Sequence, residues 1–96
     1  MPVHIGDVYT VQGARADKAQ ALKILEEAAE VFSAWERFVC CDDKATRSAL
    51  EFFLRLEVGD LITASCGMLA ALGCYDASEA LEFCRIRNEE RGRMVC

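Results

Sequence analysis

Leu25-Glu26-Glu27-Ala28-Ala29-Glu30-Val31 sets two carboxylates three residues apart in a run of helical spacing, and Glu57-Val58-Gly59-Asp60 repeats the arrangement further along. Residues at i and i+3 share a helical face, so Glu27 and Glu30 point the same way, as do Glu57 and Asp60. Two such helices side by side would aim four carboxylates at one spot. Unit charges about 5 Å apart repel by roughly 3 kcal/mol at an effective dielectric near 20. A cluster of four therefore calls for something positive inside it, and the pattern reads as a divalent-metal site on a pair of helices.

The helices grow outward from these two stretches. Asp17 followed by Gln20 resembles a capping box, and apolar residues then recur at Ala21, Leu22, Leu25, Ala28, Ala29, Phe32, Trp35, Phe38 and Val39. A first helix is predicted from near Ala16 or Asp17 to about Phe38, with Cys40 to Lys44 as the turn. Asp42 or Asp43 caps a second helix, and Gly73 is placed to end it. Its Leu50, Phe52, Phe53, Leu54, Leu56, Val58, Leu61, Ile62, Met68, Leu69 and Leu72 leave almost no polar side. A helix apolar nearly all round is expected to be buried on all sides. Asp76-Ala77-Ser78-Glu79 starts a third helix that continues through Leu81 and Cys84 to Arg91, with Gly92 ending it. Residues 1–13 show no helical period and form an N-terminal arm, extended and packing on the bundle or on a neighbouring subunit; residues 14–96 form the domain. The fold class is all-α: three main helices with short connections, completed as a bundle by oligomerisation.

Composition narrows the function. The chain has 96 residues, room for one core. An apolar share of 53% is high for so short a chain and points to a subunit interface. The net charge of −5 excludes attraction of a nucleic acid polymer through the overall field. The longest uncharged run, Leu61 to Tyr75, is too short to span a membrane, and the amino terminus lacks the pattern of a secretory signal. Six cysteines (Cys40, Cys41, Cys66, Cys74, Cys84, Cys96) form no C-x-x-C pair and read as structural thiols of a reducing cytoplasm.

The chemistry of the acidic pair is that of a hard cation. Residues four beyond Glu27 and Glu57 are Val31 and Leu61, not lysines, and Lys23 precedes Glu27 by four, the less favourable order. Asp60 interrupts an apolar helix, and a buried carboxylate needs a cation or dense hydrogen bonding. All-oxygen ligands suit Mg²⁺ or, as a substitute, Mn²⁺. Zinc would want histidine or cysteine, and a ferritin-like di-iron centre would need Glu-x-x-His pairs, whereas His4 is the single histidine. A second constellation, Arg85-Ile86-Arg87-Asn88-Glu89-Glu90-Arg91-Gly92-Arg93, complements the C-terminal end of a helix dipole. Arg87 and Arg91 share a face with Asn88 beside them, a grip suited to phosphate.

Together, Glu26-Glu27-x-x-Glu30, Glu57-x-x-Asp60 and Arg87-Asn88-x-x-Arg91-Gly92-Arg93 resemble the MazG family of all-α nucleoside triphosphate pyrophosphohydrolases over roughly Asp17 to Arg93. The resemblance implies Glu27, Glu30, Glu57 and Asp60 as magnesium ligands and a supporting or water-orienting role for Glu26, which places Glu26, Glu27 and Glu30 in the catalytic group. It implies phosphate or nucleotide contacts for Arg87, Asn88 and Arg91; Arg87 stands where the family commonly has lysine. It implies a cytoplasmic homodimer or homotetramer that cleaves a nucleoside triphosphate between the α- and β-phosphates, giving a monophosphate and pyrophosphate. The alternatives are the related phosphoribosyl-ATP pyrophosphohydrolase and a non-catalytic, metal-binding helical oligomer.

Overall fold

The computed structural model describes residues 1–92; Arg93 and Cys96, singled out above, lie outside the described residues. It is all-α: α1 spans Lys18–Val39, α2 Lys44–Ala71 and α3 Ser78–Glu90, with no strand among the described residues. The arm carries no regular structure either.

Each boundary has a local cause. Asp17 caps α1 by accepting a 3.0 Å hydrogen bond from the Gln20 N–H. Asp43, rather than Asp42, caps α2; its carboxylate accepts from the Thr46 N–H at 2.9 Å and from the Thr46 hydroxyl. At the far end Gly73 takes φ 77°, which lets the Gly73 N–H reach the Ala70 carbonyl and the Cys74 N–H reach the Leu69 carbonyl. That double bond pattern is a Schellman stop, and only glycine enters it without steric cost. The third boundary differs from expectation by one position. Asp76 binds the Ser78 N–H and hydroxyl in a local turn, Ala77 is the capping position, and no side chain closes the first turn.

α1 and α2 form an antiparallel hairpin through the Cys40–Asp43 turn. The seam is made of small and polar side chains: Gln20, Glu27 and Ala34, seven apart on α1, against Glu57, Asp60, Ala64 and Gly67 on α2. Gln20 Nε2 donates across the crossing to the Ala64 carbonyl at 2.8 Å, and a Cβ at Gly67 would stand 2.9 Å from that same nitrogen. Glycine is what lets the amide in. The expected capping-box partner of Asp17 therefore spends its side chain on the neighbouring helix. Near the turn, the Arg37 guanidinium lies 5.5 Å from the Phe53 ring centroid and Arg47 lies 4.6 Å from that of Phe38, which clasps the hairpin.

α2 is not buried on all sides within one chain. Only Ala64 and Gly67 are fully covered on it, because α1 alone packs against it. Phe52 and Leu56 are exposed on α2 and Leu72 just after it, Leu25, Phe32 and Trp35 on α1, and Leu81 and Phe83 on α3. α3 packs against neither of the other helices. Between them the arm finds its place: Ile5 to Thr10 share a groove of about 560 Å³ with Cys66, Leu69 and Cys74 of the α2 end and Leu81 of α3. Among the described residues, no helix is long and apolar enough to cross a membrane.

Candidate metal centre

The two halves of the acidic motif meet at the middle of the α1–α2 seam. Glu27, Glu57 and Asp60 each place a carboxylate oxygen within 4.8 Å of the other two. Glu27 is the deepest of the three at 6% exposure, Glu57 is half-buried and Asp60 is exposed. The burial expected at Asp60 thus falls on Glu27. α2 presents Asp60 toward the open cavity beside the seam, whereas Glu27 faces inward on the stripe that includes Ala34.

One oxygen of the buried carboxylate is accounted for. Lys23, one turn earlier, sets its ammonium 2.8 Å from Glu27 Oε1, although the lysine-first order is the weaker one on an isolated helix. The other oxygen, Glu27 Oε2, is buried with no hydrogen-bond partner among the described residues, and so is Glu57 Oε2. Buried polar atoms of native proteins are nearly always paired, so two orphaned acceptors on neighbouring helices call for a ligand. Both atoms are acceptors on acidic side chains and a third carboxylate shares the space, so what pairs them is a hydrogen-bond donor or a cation. Carboxylate oxygens at this spacing suit a hard, oxygen-seeking divalent ion, and Mg²⁺ or Mn²⁺ fits the donor set.

Electrostatics follow the geometry. The hydrogen bond from Lys23 holds the Glu27 carboxyl below its ordinary value of 4.5, against the opposing effect of burial. Glu30 is pushed above that value by the charge of Glu27 and a hydrogen bond shared with it, then by burial, and then by the charge of Glu57 and a hydrogen bond shared with that group. Glu30 therefore holds a proton more readily than an isolated glutamate does. Glu27 in turn raises the Lys23 ammonium. Glu26 and Glu30, both exposed on α1, are not part of the three-carboxylate group, so three of the four expected ligands converge rather than all four.

The basic residues are placed elsewhere. Arg87, Asn88 and Arg91 lie on or just after α3, which packs on neither helix of the hairpin, and no arginine is among the groups that perturb Glu27 or Glu30. Arg87 donates to Cys84 Sγ at 3.3 Å, and Arg91 is exposed. Arg85 is committed locally, to Glu82 and Glu89 of its own helix. Among the described residues of one chain, the acidic and basic halves of the sequence pattern do not converge.

A cavity of about 320 Å³ adjoins the carboxylates and is lined by Gln20, Lys23, Glu27, Asp60 and Thr63 together with Thr10 and Val11 of the arm. Gln20 and Lys23 did not stand out in the sequence as site residues. Lys23 was visible at four before Glu27, but the reach of Gln20 depends on a contact forty-four residues away. The thiols of Cys40, Cys41, Cys66, Cys74 and Cys84 are free and none joins the cluster. No family model, curated protein or solved structure matches the chain.

Proposed function

We propose that this chain is a Mg²⁺-dependent nucleotide pyrophosphohydrolase of the MazG-like all-α class, which cleaves a nucleoside triphosphate to the monophosphate and pyrophosphate. The observation that carries the reading is the pair of buried, unpartnered oxygens on Glu27 and Glu57 with Asp60 beside them. The motif resemblance supplies the substrate class.

In this reading Glu27, Glu57 and Asp60 hold the cation and Glu30 completes its surroundings. When bound, a divalent ion neutralises phosphate charge and makes a water easier to deprotonate. Glu30, whose proton affinity is already raised, is the carboxylate suited to take the water's proton. Glu26 orients from the rim. Arg87, Asn88 and Arg91 contact the phosphates, with guanidinium forks matched to them.

The same reading makes the working form a homodimer or homotetramer. The chain exposes 7801 Å², whereas a compact monomer of 10.7 kDa exposes about 5,500 Å². The excess of roughly 2,300 Å² exceeds the ~800 Å² that each partner gives to a standard interface. Large apolar side chains are exposed on all three helices and on the arm. Assembly also offers the route by which α3 of one subunit reaches the carboxylates of another. The five free thiols among the described residues go with a cytoplasmic location.

The test is a panel of nucleoside triphosphates with Mg²⁺, scored for pyrophosphate against inorganic phosphate. Mg²⁺-dependent pyrophosphate release is the expected result; release of inorganic phosphate alone, or no turnover on any nucleotide, overturns the proposal. The separation of the α3 arginines from the carboxylates favours a second reading, a metal-binding helical oligomer without catalysis, and the absence of turnover with retained Mg²⁺ binding would select it.

A further inference from the structure

We propose that Lys23 is a displaceable internal cation: it neutralises Glu27 when no metal is bound, and a divalent ion arriving at Glu27, Glu57 and Asp60 releases its ammonium into the adjoining cavity to take a phosphate oxygen of the ligand. The inference rests on the cation site proposed above and adds to it a residue outside the motifs.

Three observations converge on Lys23. Its ammonium sits 2.8 Å from one oxygen of Glu27 while the other oxygen of that carboxylate is buried and unpartnered, so a cation entering the cluster must share Glu27 with Lys23. A divalent ion brings two positive charges to carboxylates that Lys23 serves with one, and at Glu27 it repels the ammonium from the shared carboxylate. The Lys23 side chain is half-exposed, at 56%, and its flexible four-carbon stem carries a compact charge that can move without moving the helix.

The direction of release is set by the cavity. Lys23, Glu27 and Asp60 line the same 320 Å³ space, so an anion held by a cation on the carboxylates meets the Lys23 ammonium there. Among the described residues, no other side chain lining that cavity carries a positive charge. Phosphate is the matching anion chemistry, since it offers oxygens to both a hard cation and an ammonium.

Calorimetric titration of the purified full chain tests this, with Mg²⁺ alone and then with inorganic pyrophosphate at saturating Mg²⁺. Lys23→Met removes the competitor and is expected to tighten Mg²⁺ binding at least about fivefold while weakening Mg²⁺-dependent pyrophosphate binding by a similar factor. Lys23→Arg keeps the charge and stays near the wild type in both titrations. Lys18→Met, which removes an equal charge from the exposed start of α1, changes either constant less than about twofold. Unchanged or weaker Mg²⁺ binding in Lys23→Met overturns the proposal, as does unchanged pyrophosphate binding. If Lys23→Met loses helicity, Lys23→Gln carries the same comparison, because its amide can still donate to Glu27. A wild type that binds neither Mg²⁺ nor Mn²⁺ removes the cation site itself and this proposal with it.

Discussion

Gly67→Ala sets two opposing effects against each other at the crossing of α1 and α2. The new methyl would stand 2.9 Å from Gln20 Nε2, closer than packed atoms tolerate, and the amide is the end of a flexible side chain that can swing aside. Swinging aside breaks its 2.8 Å bond to the Ala64 carbonyl, a loss of about 1 kcal/mol. Removing a glycine from a helix interior favours folding by about 1 kcal/mol. The two nearly cancel, so Gly67→Ala alone is expected to leave the unfolding midpoint within a few tenths of a kcal/mol of wild type. Gln20→Ala alone costs about 1 kcal/mol. In that background the methyl meets open space, and Gly67→Ala becomes stabilising by about 1 kcal/mol. The assay is urea unfolding followed by circular dichroism, at one protein concentration because association would shift the midpoint. The four proteins form a double-mutant cycle with a coupling near 1 kcal/mol. Equal effects of Gly67→Ala in both backgrounds would refute the contact and the role given to glycine there.

Three further expectations concern the site and the assembly. Glu27→Gln and Asp60→Asn should each lower Mg²⁺-dependent pyrophosphate release by about a hundredfold or more with the far-ultraviolet dichroism unchanged, and near-normal rates in both would remove the ligand assignment. Glu30 binds its proton more tightly folded than unfolded, so stability is lost as the pH rises through the window from 4.5 up to its raised value, and the penalty persists above it. Glu27 works in the opposite sense, its contribution being present above 4.5 and lost as the pH falls through its lowered value. In chelator, Glu30→Gln should therefore melt higher than wild type at neutral pH and no higher well below 4.5; a lower melting temperature at neutral pH contradicts the repulsion assigned to it. Light scattering should give the wild type a multiple of 10.7 kDa, and Phe52→Glu combined with Leu56→Glu should shift it toward that mass. Both substitutions fall on exposed positions of the single chain, where surface changes move stability by no more than about 0.5 kcal/mol. A monomeric wild type at micromolar concentration would refute the assembly.

Helix existence was legible because it rests on local chemistry. Asp17, Asp43 and Gly73 act on backbone groups within a few residues of themselves, so their effect is written in short spacings. The α3 start shifted by one because Asp76 prefers a turn with Ser78, a competition that spacing alone does not rank. The approach of Glu27, Glu57 and Asp60 was readable from their helical faces. Which carboxylate is buried was not: Asp60 has apolar neighbours in sequence, but burial is decided by what lies across the seam. Gln20 shows the same limit, since its side chain answers to Ala64 and Gly67 rather than to its own helix.

The isolation of α3 has a consequence for amide hydrogen exchange. A 13-residue helix that packs on neither of the other helices is marginal in water. In a lone chain, α3 amides would exchange through local fraying, far faster than those of the α1–α2 seam, whose exchange requires the hairpin to open. In an assembly that covers α3, its protection would rise toward that of the seam and would track protein concentration. Deuterium uptake at Leu81 to Ile86 thus provides a residue-level clock for association, readable without substrate, metal or mutation.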